Sequence, residues 1–288
     1  RQARSHNALA AQLHALSERL RLEVAERDVL YLGVLIQRFP ALNDLFQAVA
    51  AFAHGQPLSH VFAAVLGHER VAVGRAMGRQ GQLARFGMID PDHYNGVVDV
   101  SSSFVSWLAE GDEGVERFIA QRLRRAAEPA LDLDDFRHVP DVGRLRQYLR
   151  VAIAERHRGV NILIHGQPGT GKTELVRALV ADLGLRLFEV PVEDIKGEAV
   201  SGQRRFSALS LAQRLLARQD DVCLLFDEIE DVFGYGGGQF DWLFGREQVP
   251  VKGWLNDQLE HSAIPTFWLS NRIGSIDPAH LRRFDEVI

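Results

Sequence analysis

Residues 166–173 read GQPGTGKT and match the pattern G-x-x-x-x-G-K-[ST] in full. The apolar run VNILIH precedes this segment, and a stretch with helical apolar spacing follows it. Glycine at positions 169 and 171 permits backbone torsions that a side chain would hinder. Successive N–H groups can then point inward at phosphate oxygens, and the helix that follows adds its positive end. The segment therefore predicts a site for the phosphates of a nucleotide.

The side chains of this loop have separate predicted tasks. Lys172 reaches the β and γ phosphates, and the Thr173 hydroxyl binds Mg²⁺. The other candidates for contact with the nucleotide are Gly166, Gln167, Pro168, Gly169, Thr170, Gly171 and Glu174. The expected ligands are ATP and Mg²⁺.

A second group of residues that could take part in chemistry is the acidic pair Asp227 and Glu228, which follows the apolar run VCLLF. Ligands of open α/β sheets bind at the carboxyl ends of strands. Asp227 can hold Mg²⁺ there through the water shell of the ion, and Glu228 can polarise an attacking water. The next acids, Glu230 and Asp231, are interpreted as helix N-terminal residues that the helix dipole favours.

The elements that must position these residues are visible beyond residue 140. The apolar runs RLFEV, VCLLF and PTFWLS alternate with helical patterns over 173–183 and 205–218. Short apolar strands that alternate with helices predict a parallel sheet covered on both faces, and so an α/β fold.

The first half of the chain has helical periodicity instead. Helices are predicted over 7–20, 22–39, 41–54, 58–66 and 68–79, and an extended segment, VVDV, follows the turn-forming DPDHYNG. This order resembles a winged helix, with VGRAMGRQGQLARFGMI similar to its recognition helix and first wing strand. The charged segment RRAAEPALDLDDF predicts a boundary near residue 132, between domains 1–132 and 133–288.

Two roles are open for this helical domain, DNA reading in the major groove and contact with a protein. Its first 130 residues contain 14 Arg and 14 Asp plus Glu. DNA-reading domains are usually basic, so this balance favours a protein partner.

The whole chain has 288 residues, 46% of them hydrophobic, and a net charge of −5. This charge disfavours an electrostatic grip on nucleic acid or on an anionic membrane. The single cysteine, Cys223, is interpreted as a buried thiol in a reducing compartment. No apolar run approaches the ~20 residues of a membrane helix, and no signal peptide is visible. We therefore expect a cytoplasmic location without membrane contact.

Four segments in order resemble motifs of the AAA+ ATPase family. GQPGTGKT resembles Walker A, LLFDE resembles Walker B, PTFWLSN resembles the sensor-1 strand, and IDPAHLRRFD resembles the end of the second region of homology. The resemblance covers residues 133–288 and is to a bacterial-type member with a winged-helix-like domain in front. It implies a P-loop NTPase fold with a five-stranded parallel sheet of strand order 5-1-4-3-2.

The resemblance also implies roles for individual residues. Asn271 would hydrogen-bond the γ-phosphate or hold the attacking water. Arg282 and Arg283 would enter the nucleotide site of a neighbouring subunit as arginine fingers, where a guanidinium suits the charge on transferred phosphoryl oxygens. Arg283 matches the family pattern better than Arg282. His138 and Val139 are candidates for a wall of the adenine pocket.

The implied function is Mg²⁺-dependent ATP hydrolysis that remodels a protein partner in a homo-oligomeric ring, with six subunits suggested by the resemblance. A DNA-linked ATPase is the alternative, and a nucleotide-gated scaffold that scarcely turns over is a third possibility. Two departures from the family stand out. The loop at Ile195, Lys196 and Gly197 lacks the aromatic residue of protein-threading members. No helical lid follows Ile288, so we expect the lid to be absent from this chain.

Overall fold

The computed structural model describes residues 2–52, 57–90, 99–101, 104–105, 108, 119–120, 122–193, 197–230, 249–276 and 278–288. The chain forms two compact units, Arg1–Ala120 and Gln121–Ile288. The domain boundary near residue 132 stays a prediction, because compactness does not test where an independently folding domain begins. Within the described ranges, every helix is too short or too polar to cross a bilayer.

The first unit consists mainly of helices. In chain order its elements are α1 (Gln2–Leu20), α2 (Val24–Arg38), α3 (Pro40–Phe52), α4 (Leu58–Leu66), α5 (Arg70–Met77), α6 (Gln82–Arg85), β1 (Ile89–Asp90) and β2 (Asp99–Val100). The two strands pair in antiparallel fashion. The five helices expected from apolar spacing are confirmed. The turn between the strands, residues 91–98, lies outside the described residues, and the winged-helix comparison stays a prediction.

The core of the first unit forms around α2. Val29, Leu30, Val34 and Ile36 of this helix have no exposed surface. The α1 leucines that set the predicted helical spacing are buried as well: Leu9, Leu13, Leu16 and Leu20. Burial of each such side chain favours folding by about 1.5–3 kcal/mol, so apolar contact between these helices stabilises this unit.

The second unit has the elements of an α/β domain. They are β3 (Arg124–Arg125), a 3₁₀ helix (Leu133–Phe136), α7 (Val142–Ala154), β4 (Asn161–His165), α8 (Lys172–Asp182), β5 (Arg186–Val190), α9 (Gly202–Leu216), β6 (Val222–Phe226), α10 (Val249–His261), β7 (Thr266–Ser270), a second 3₁₀ helix (Ile273–Ser275), α11 (Pro278–Leu281) and β8 (Glu286–Val287).

The sheet of this unit has the strand order β3-β5-β6-β7-β4-β8. The five strands from β4 to β8 are parallel to their neighbours, and their arrangement is the expected order 5-1-4-3-2. The strand count needs a correction, because the short strand β3 pairs antiparallel with the outer edge of β5. Its two residues are both arginines, so no apolar alternation marked them as a strand in the sequence.

Apolar side chains cover both faces of the parallel sheet. On β6, Leu224 and Phe226 pack into the cluster that includes α9, while Cys223 and Leu225 pack into the cluster that includes α8. Burial raises the pKa of the Cys223 thiol to about 12, so the thiol stays protonated and inert at neutral pH. The interpretation of this cysteine as a buried thiol is confirmed.

A buried amide at the start of β4 holds three chain segments together. Asn161 is fully buried, and its Nδ2 donates to the carbonyl oxygens of Gly159 (2.7 Å) and Leu259 (2.6 Å). Its Oδ1 accepts a hydrogen bond from Trp268 Nε1 at 2.9 Å, and its backbone N–H donates to Asp285 Oδ2 at 2.7 Å. The side chain thereby joins β4, β7 and α10 below the site that β4 supports.

We expect Asn161→Leu to lower the free energy of unfolding by at least about 3 kcal/mol, because it leaves one N–H and two carbonyl groups buried without partners. Urea unfolding of both variants measures this. Gln203→Leu, at an exposed position of α9, is the control and should change stability by less than about 0.5 kcal/mol. Equal effects of the two substitutions would contradict the role given to Asn161.

Candidate nucleotide site

The phosphate loop connects β4 to α8 in the conformation that its glycines permit. Gly169 and Gly171 have φ angles of +79° and +85°, in the left-handed region that glycine adopts readily. The Gly166 N–H donates to the Ser270 carbonyl at 3.1 Å, which ties the loop to the end of β7. Both residues therefore adopt backbone torsions for which the sequence predicted that glycine is needed.

Lys172 and Asn271, predicted from separate motifs, lie in direct contact. The Lys172 ammonium donates to Asn271 Oδ1 at 3.0 Å, and also to the carbonyl oxygens of Gly166 (2.8 Å) and Gln167 (3.0 Å). All three N–H bonds of the ammonium therefore point to oxygen atoms around the loop. This geometry holds the positive charge where the phosphates of a nucleotide would lie.

Thr173 and Asp227, the two predicted Mg²⁺ residues, also meet. The Thr173 hydroxyl donates to Asp227 Oδ2 at 3.3 Å. A hydroxyl and a carboxylate are both hard oxygen donors, and one or two protein ligands together with waters and phosphates are the usual set for Mg²⁺. The residues present therefore fit this ion.

A buried arginine supports the turn that carries Asp227 and Glu228. Arg205 of α9 is 1% exposed, and its guanidinium donates to the carbonyl oxygens of Asp227 and, at 3.4 Å, Glu228. The guanidinium carbon also lies 4.4 Å from the centre of the Phe226 ring, a favourable cation–π contact. Glu228 itself has a φ of +52°, a strained torsion for a residue with a side chain. The bonds from Arg205 hold this turn in place.

Glu230 supports the opposite wall of the site. Its Oε1 accepts hydrogen bonds from the Ser270 hydroxyl (2.8 Å), the Arg272 N–H (2.9 Å) and the Asn271 N–H. The loop after β7 is fixed by this one oxygen, and the position of Asn271 depends on it. The interpretation of Glu230 as a helix N-terminal acid stays a prediction, because residues 231–248 lie outside the described residues.

Glu174, predicted as a contact of the nucleotide, has its carboxylate engaged elsewhere. Its Oε2 accepts the Ala130 N–H at 2.9 Å and its Oε1 accepts Arg177 Nη1 at 2.8 Å. The Ala130 N–H and the Arg177 guanidinium hold the pKa of Glu174 below its usual value. The side chain therefore attaches the segment before the first 3₁₀ helix to α8.

An aromatic residue two positions before the predicted adenine-pocket residue His138 lies close to Gly171 of the phosphate loop. Phe136 is buried, and a Cβ placed on Gly171 would be 3.6 Å from its Cε1. His138 is exposed and stacks against Phe136 with ring centres 6.3 Å apart, and Val139 packs against the neighbouring apolar cluster. The assignment of His138 and Val139 to the adenine pocket stays a prediction.

The two adjacent arginines near the C-terminus differ in their surroundings. Arg283 forms an ion pair with Glu260 of the same chain, and its side chain is 30% exposed. Arg282 is exposed, and within the described residues its guanidinium makes no hydrogen bond or ion pair. Neither arginine contacts Lys172 or Asp227 of its own chain through a bond among the described residues.

Three further residues considered in the sequence lie outside the described residues: Ile195, Lys196 and Asp231.

The comparison with protein families agrees with this geometry. The family model described as "ATPase family associated with various cellular activities (AAA)" matches residues 162–288. This region is a AAA ATPase domain. The match begins within β4 and ends with the chain, so it includes the phosphate loop, the acidic pair, Asn271 and both arginines.

Individual relatives match less than half of this chain. The peroxisomal ATPase PEX6 of Arthrobotrys oligospora is 29% identical over 136 residues, which are 44% of this chain and 11% of that protein. The ATP-dependent zinc metalloprotease FtsH 3 of Symbiobacterium thermophilum is 31% identical over 135 residues, 44% of this chain and 21% of that protein. The chain thus matches only a small part of these relatives' length.

Among solved structures, a chain of the HORMA:CdnC:Trip13 complex of E. coli MS115-1 aligns with a TM-score of 0.42 and 16% identity. The alignment covers 59% of this chain and 70% of that chain.

Two supporting residues of the AAA domain were not predicted as part of the site. Arg205 lies in the run SGQRRF, where its residue type alone does not separate it from a surface arginine, and Glu230 differs little in the sequence from its acidic neighbours. The signal that could have identified Arg205 is its spacing, because a charged residue four and seven positions before Leu209 and Ala212 lies on the same side of a helix as these apolar residues. Both apolar residues are buried in the cluster that includes α9.

We expect Arg205→Leu to lower the free energy of unfolding by about 2–3 kcal/mol, because it leaves the Asp227 and Glu228 carbonyl groups without their donor. It should also weaken Mg²⁺-dependent binding of a fluorescent ATP analogue, since Asp227 loses its support. Arg204→Leu, at the exposed adjacent position, should change stability by less than about 0.5 kcal/mol. If the two variants bind the analogue equally well, Arg205 does not support the site.

Proposed function

We propose that this chain binds ATP with Mg²⁺, hydrolyses it, and uses the reaction to remodel a protein partner within an oligomeric ring. One observation carries the proposal. Lys172 contacts Asn271 at 3.0 Å, Thr173 contacts Asp227 at 3.3 Å, and Glu228 follows Asp227 at the same edge of the sheet. A phosphate-binding cation, a pair of oxygen ligands for Mg²⁺ and a carboxylate base are thereby adjacent.

The proposed reaction uses these residues in defined ways. The loop N–H groups and the Lys172 ammonium bind the β and γ phosphates of ATP. Glu228 accepts a proton from a water molecule as the water oxygen bonds to the γ-phosphorus. The bond between that phosphorus and the oxygen bridging to the β-phosphate breaks, which yields ADP and inorganic phosphate, and Glu228 returns its proton to solvent. Mg²⁺ bound through Thr173 and Asp227 would neutralise charge on the phosphate oxygens.

The arginine finger of the proposed ring is Arg282 in preference to Arg283. The sequence pattern favours Arg283, but its guanidinium pairs with Glu260 of its own chain. Arg282 is exposed two residues before Phe284, which is buried in the core. It can therefore reach a neighbouring subunit without breaking a bond among the described residues.

A ring of six subunits remains the expectation, and so does a location of the protein in the cytoplasm.

A protein partner is favoured over DNA by the charge balance of the first 130 residues, which contain 14 Arg and 14 Asp plus Glu. A DNA-linked ATPase would be expected to have a basic surface there. The relative FtsH 3 is named an ATP-dependent metalloprotease, which is a case of ATP use coupled to a protein substrate. We assign partner recruitment to the helical first unit.

We expect Glu228→Gln to reduce ATP turnover by about 100-fold or more while ATP binding is retained, because the amide cannot accept the proton from water. Steady-state phosphate release and binding of a fluorescent ATP analogue measure the two quantities. Glu128→Gln, at an exposed site far along the chain from the acidic pair, should leave both unchanged. Turnover by Glu228→Gln at the wild-type rate would exclude Glu228 as the base.

We expect Arg282→Ala to abolish most ATP turnover. It should also lower the rate of wild-type subunits when the two proteins are mixed, because each variant subunit supplies no arginine to the nucleotide site of its neighbour. Arg283→Ala is the matched comparison and should lower stability more than it lowers turnover. The wild-type rate per subunit should also climb with protein concentration. A mixed sample with the weighted average rate, or a rate independent of concentration, would contradict a finger acting between subunits.

A further inference from the structure

A cavity of about 220 Å³ lies at the carboxyl ends of β5 and β6. Its lining includes Thr173, Asp227 and Glu228 of the nucleotide site, together with Arg124 of the edge strand β3. On the basis of the proposed function, we propose that Arg124 is a positioning residue for Glu228. Its guanidinium draws the Glu228 carboxylate into this cavity, where the carboxylate can meet the attacking water.

The strand pairing determines the face of the sheet on which Arg124 lies. Arg124 is opposite Glu189 and Arg125 is opposite Phe188, and successive side chains of a strand point to opposite faces. Glu189 lies on the α8 face, because it binds Arg177 of that helix. Arg124 therefore lies on the same face as α8, which begins at the phosphate loop, and Arg125 lies on the other face.

The carboxylate directly opposite Arg124 is already occupied. Glu189 Oε1 accepts hydrogen bonds from Arg177 Nε at 2.9 Å and from Arg177 Nη2 at 2.7 Å. In the part of the chain that the structure describes, neither the Arg124 guanidinium nor the Glu228 carboxylate makes a hydrogen bond or ion pair. Both line the same cavity, and a cation and an anion facing a partly enclosed space attract each other more strongly than in bulk water.

Glu228 needs a group that restrains its side chain. Its backbone is held by Arg205 and by the bond from its own N–H to Asp227 Oδ1 at 2.7 Å, but its carboxylate is exposed. A general base that samples several rotamers spends only part of its time in reach of the water, and orientation contributes directly to rate. Arg124 supplies the charge that favours rotamers directed into the cavity. Glu193 is the competing carboxylate, since it lines the same cavity.

The test compares four proteins with the full 288-residue sequence: wild type, Arg124→Gln, Arg124→Lys and Arg125→Gln. Steady-state hydrolysis gives kcat and KM, and a fluorescent ATP analogue with Mg²⁺ gives Kd. We expect Arg124→Gln to lower kcat about tenfold with Kd unchanged within about twofold, because orientation is lost while the nucleotide contacts remain. Arg124→Lys should recover most of kcat because it keeps the charge.

Arg125→Gln is the matched control, since it removes the same group from the same strand but from the opposite face. It should leave kcat and Kd at their wild-type values. Three results would overturn the inference. An unchanged kcat in Arg124→Gln would exclude a role in catalysis, and an equal loss of kcat in Arg125→Gln would indicate a purely structural role of β3. A loss of nucleotide affinity in Arg124→Gln as large as its loss of kcat/KM would indicate direct contact with ATP.

A second measurement does not depend on turnover. Thermal unfolding of Arg124→Gln, Glu228→Gln and the double variant should give non-additive changes of about 1–2 °C in Tm, as expected for an exposed ion pair. Additive changes, or coupling of Arg124 to Glu193→Gln instead, would overturn the pairing. If the wild-type chain hydrolyses no ATP, the proposed function fails, and this cycle still decides whether Arg124 and Glu228 interact.

Discussion

The candidate site depends on the parallel pairing of β4 with β7. The two strands are in register over their full length, from Asn161 opposite Thr266 to His165 opposite Ser270. Because parallel strands end at the same edge of a sheet, the phosphate loop after β4 and the turn after β7 begin side by side. The contact between Lys172 and Asn271 follows from this register. A shift by one residue would turn the side chains of β4 to the wrong faces and separate the two groups.

Polar side chains fix this register, while apolar burial supplies most of the stabilisation. Gln213 of α9 donates from Nε2 to the Ile264 carbonyl (2.8 Å) and the Thr266 hydroxyl (2.9 Å). Its Oε1 accepts the N–H groups of Ala263 and Ile264. Asn161 acts in the same way at the start of β4, and Glu230 does so for the turn after β7. Strand ends leave backbone groups without ladder partners, and each of these side chains satisfies several of them, so the strands cannot slide without losing all of these bonds.

A buried positive charge in the AAA domain holds the backbone of the candidate site in place. Removal of a guanidinium from water is unfavourable unless its donors are paired, and Arg205 directs them at the carbonyl groups of Asp227 and Glu228. Asp227 and Glu228, the proposed Mg²⁺ ligand and the proposed base, therefore lie on a turn that the Arg205 guanidinium supports, and the guanidinium also contacts the Phe226 ring. The left-handed torsion of Glu228 is maintained by this support, as the left-handed torsions of the phosphate loop are maintained by glycine.

The sequence by itself determined the α/β class and the phosphate loop, because these depend on local patterns: apolar runs, helical spacing and glycines at positions with left-handed torsions. The strand order came from the resemblance to the AAA+ family, since no local pattern sets which strands become neighbours. It also predicted Lys172, Thr173, Asp227 and Glu228 as site residues from residue types next to such patterns. Only the tertiary structure decided the supporting contacts. Arg205 is 22 residues from Asp227, Glu230 is 42 from Arg272, and the two-residue strand β3 has no apolar signature. Long charged side chains look alike in a sequence, and their partners are set by which elements become neighbours in space, as the pairing of Arg283 with Glu260 demonstrates.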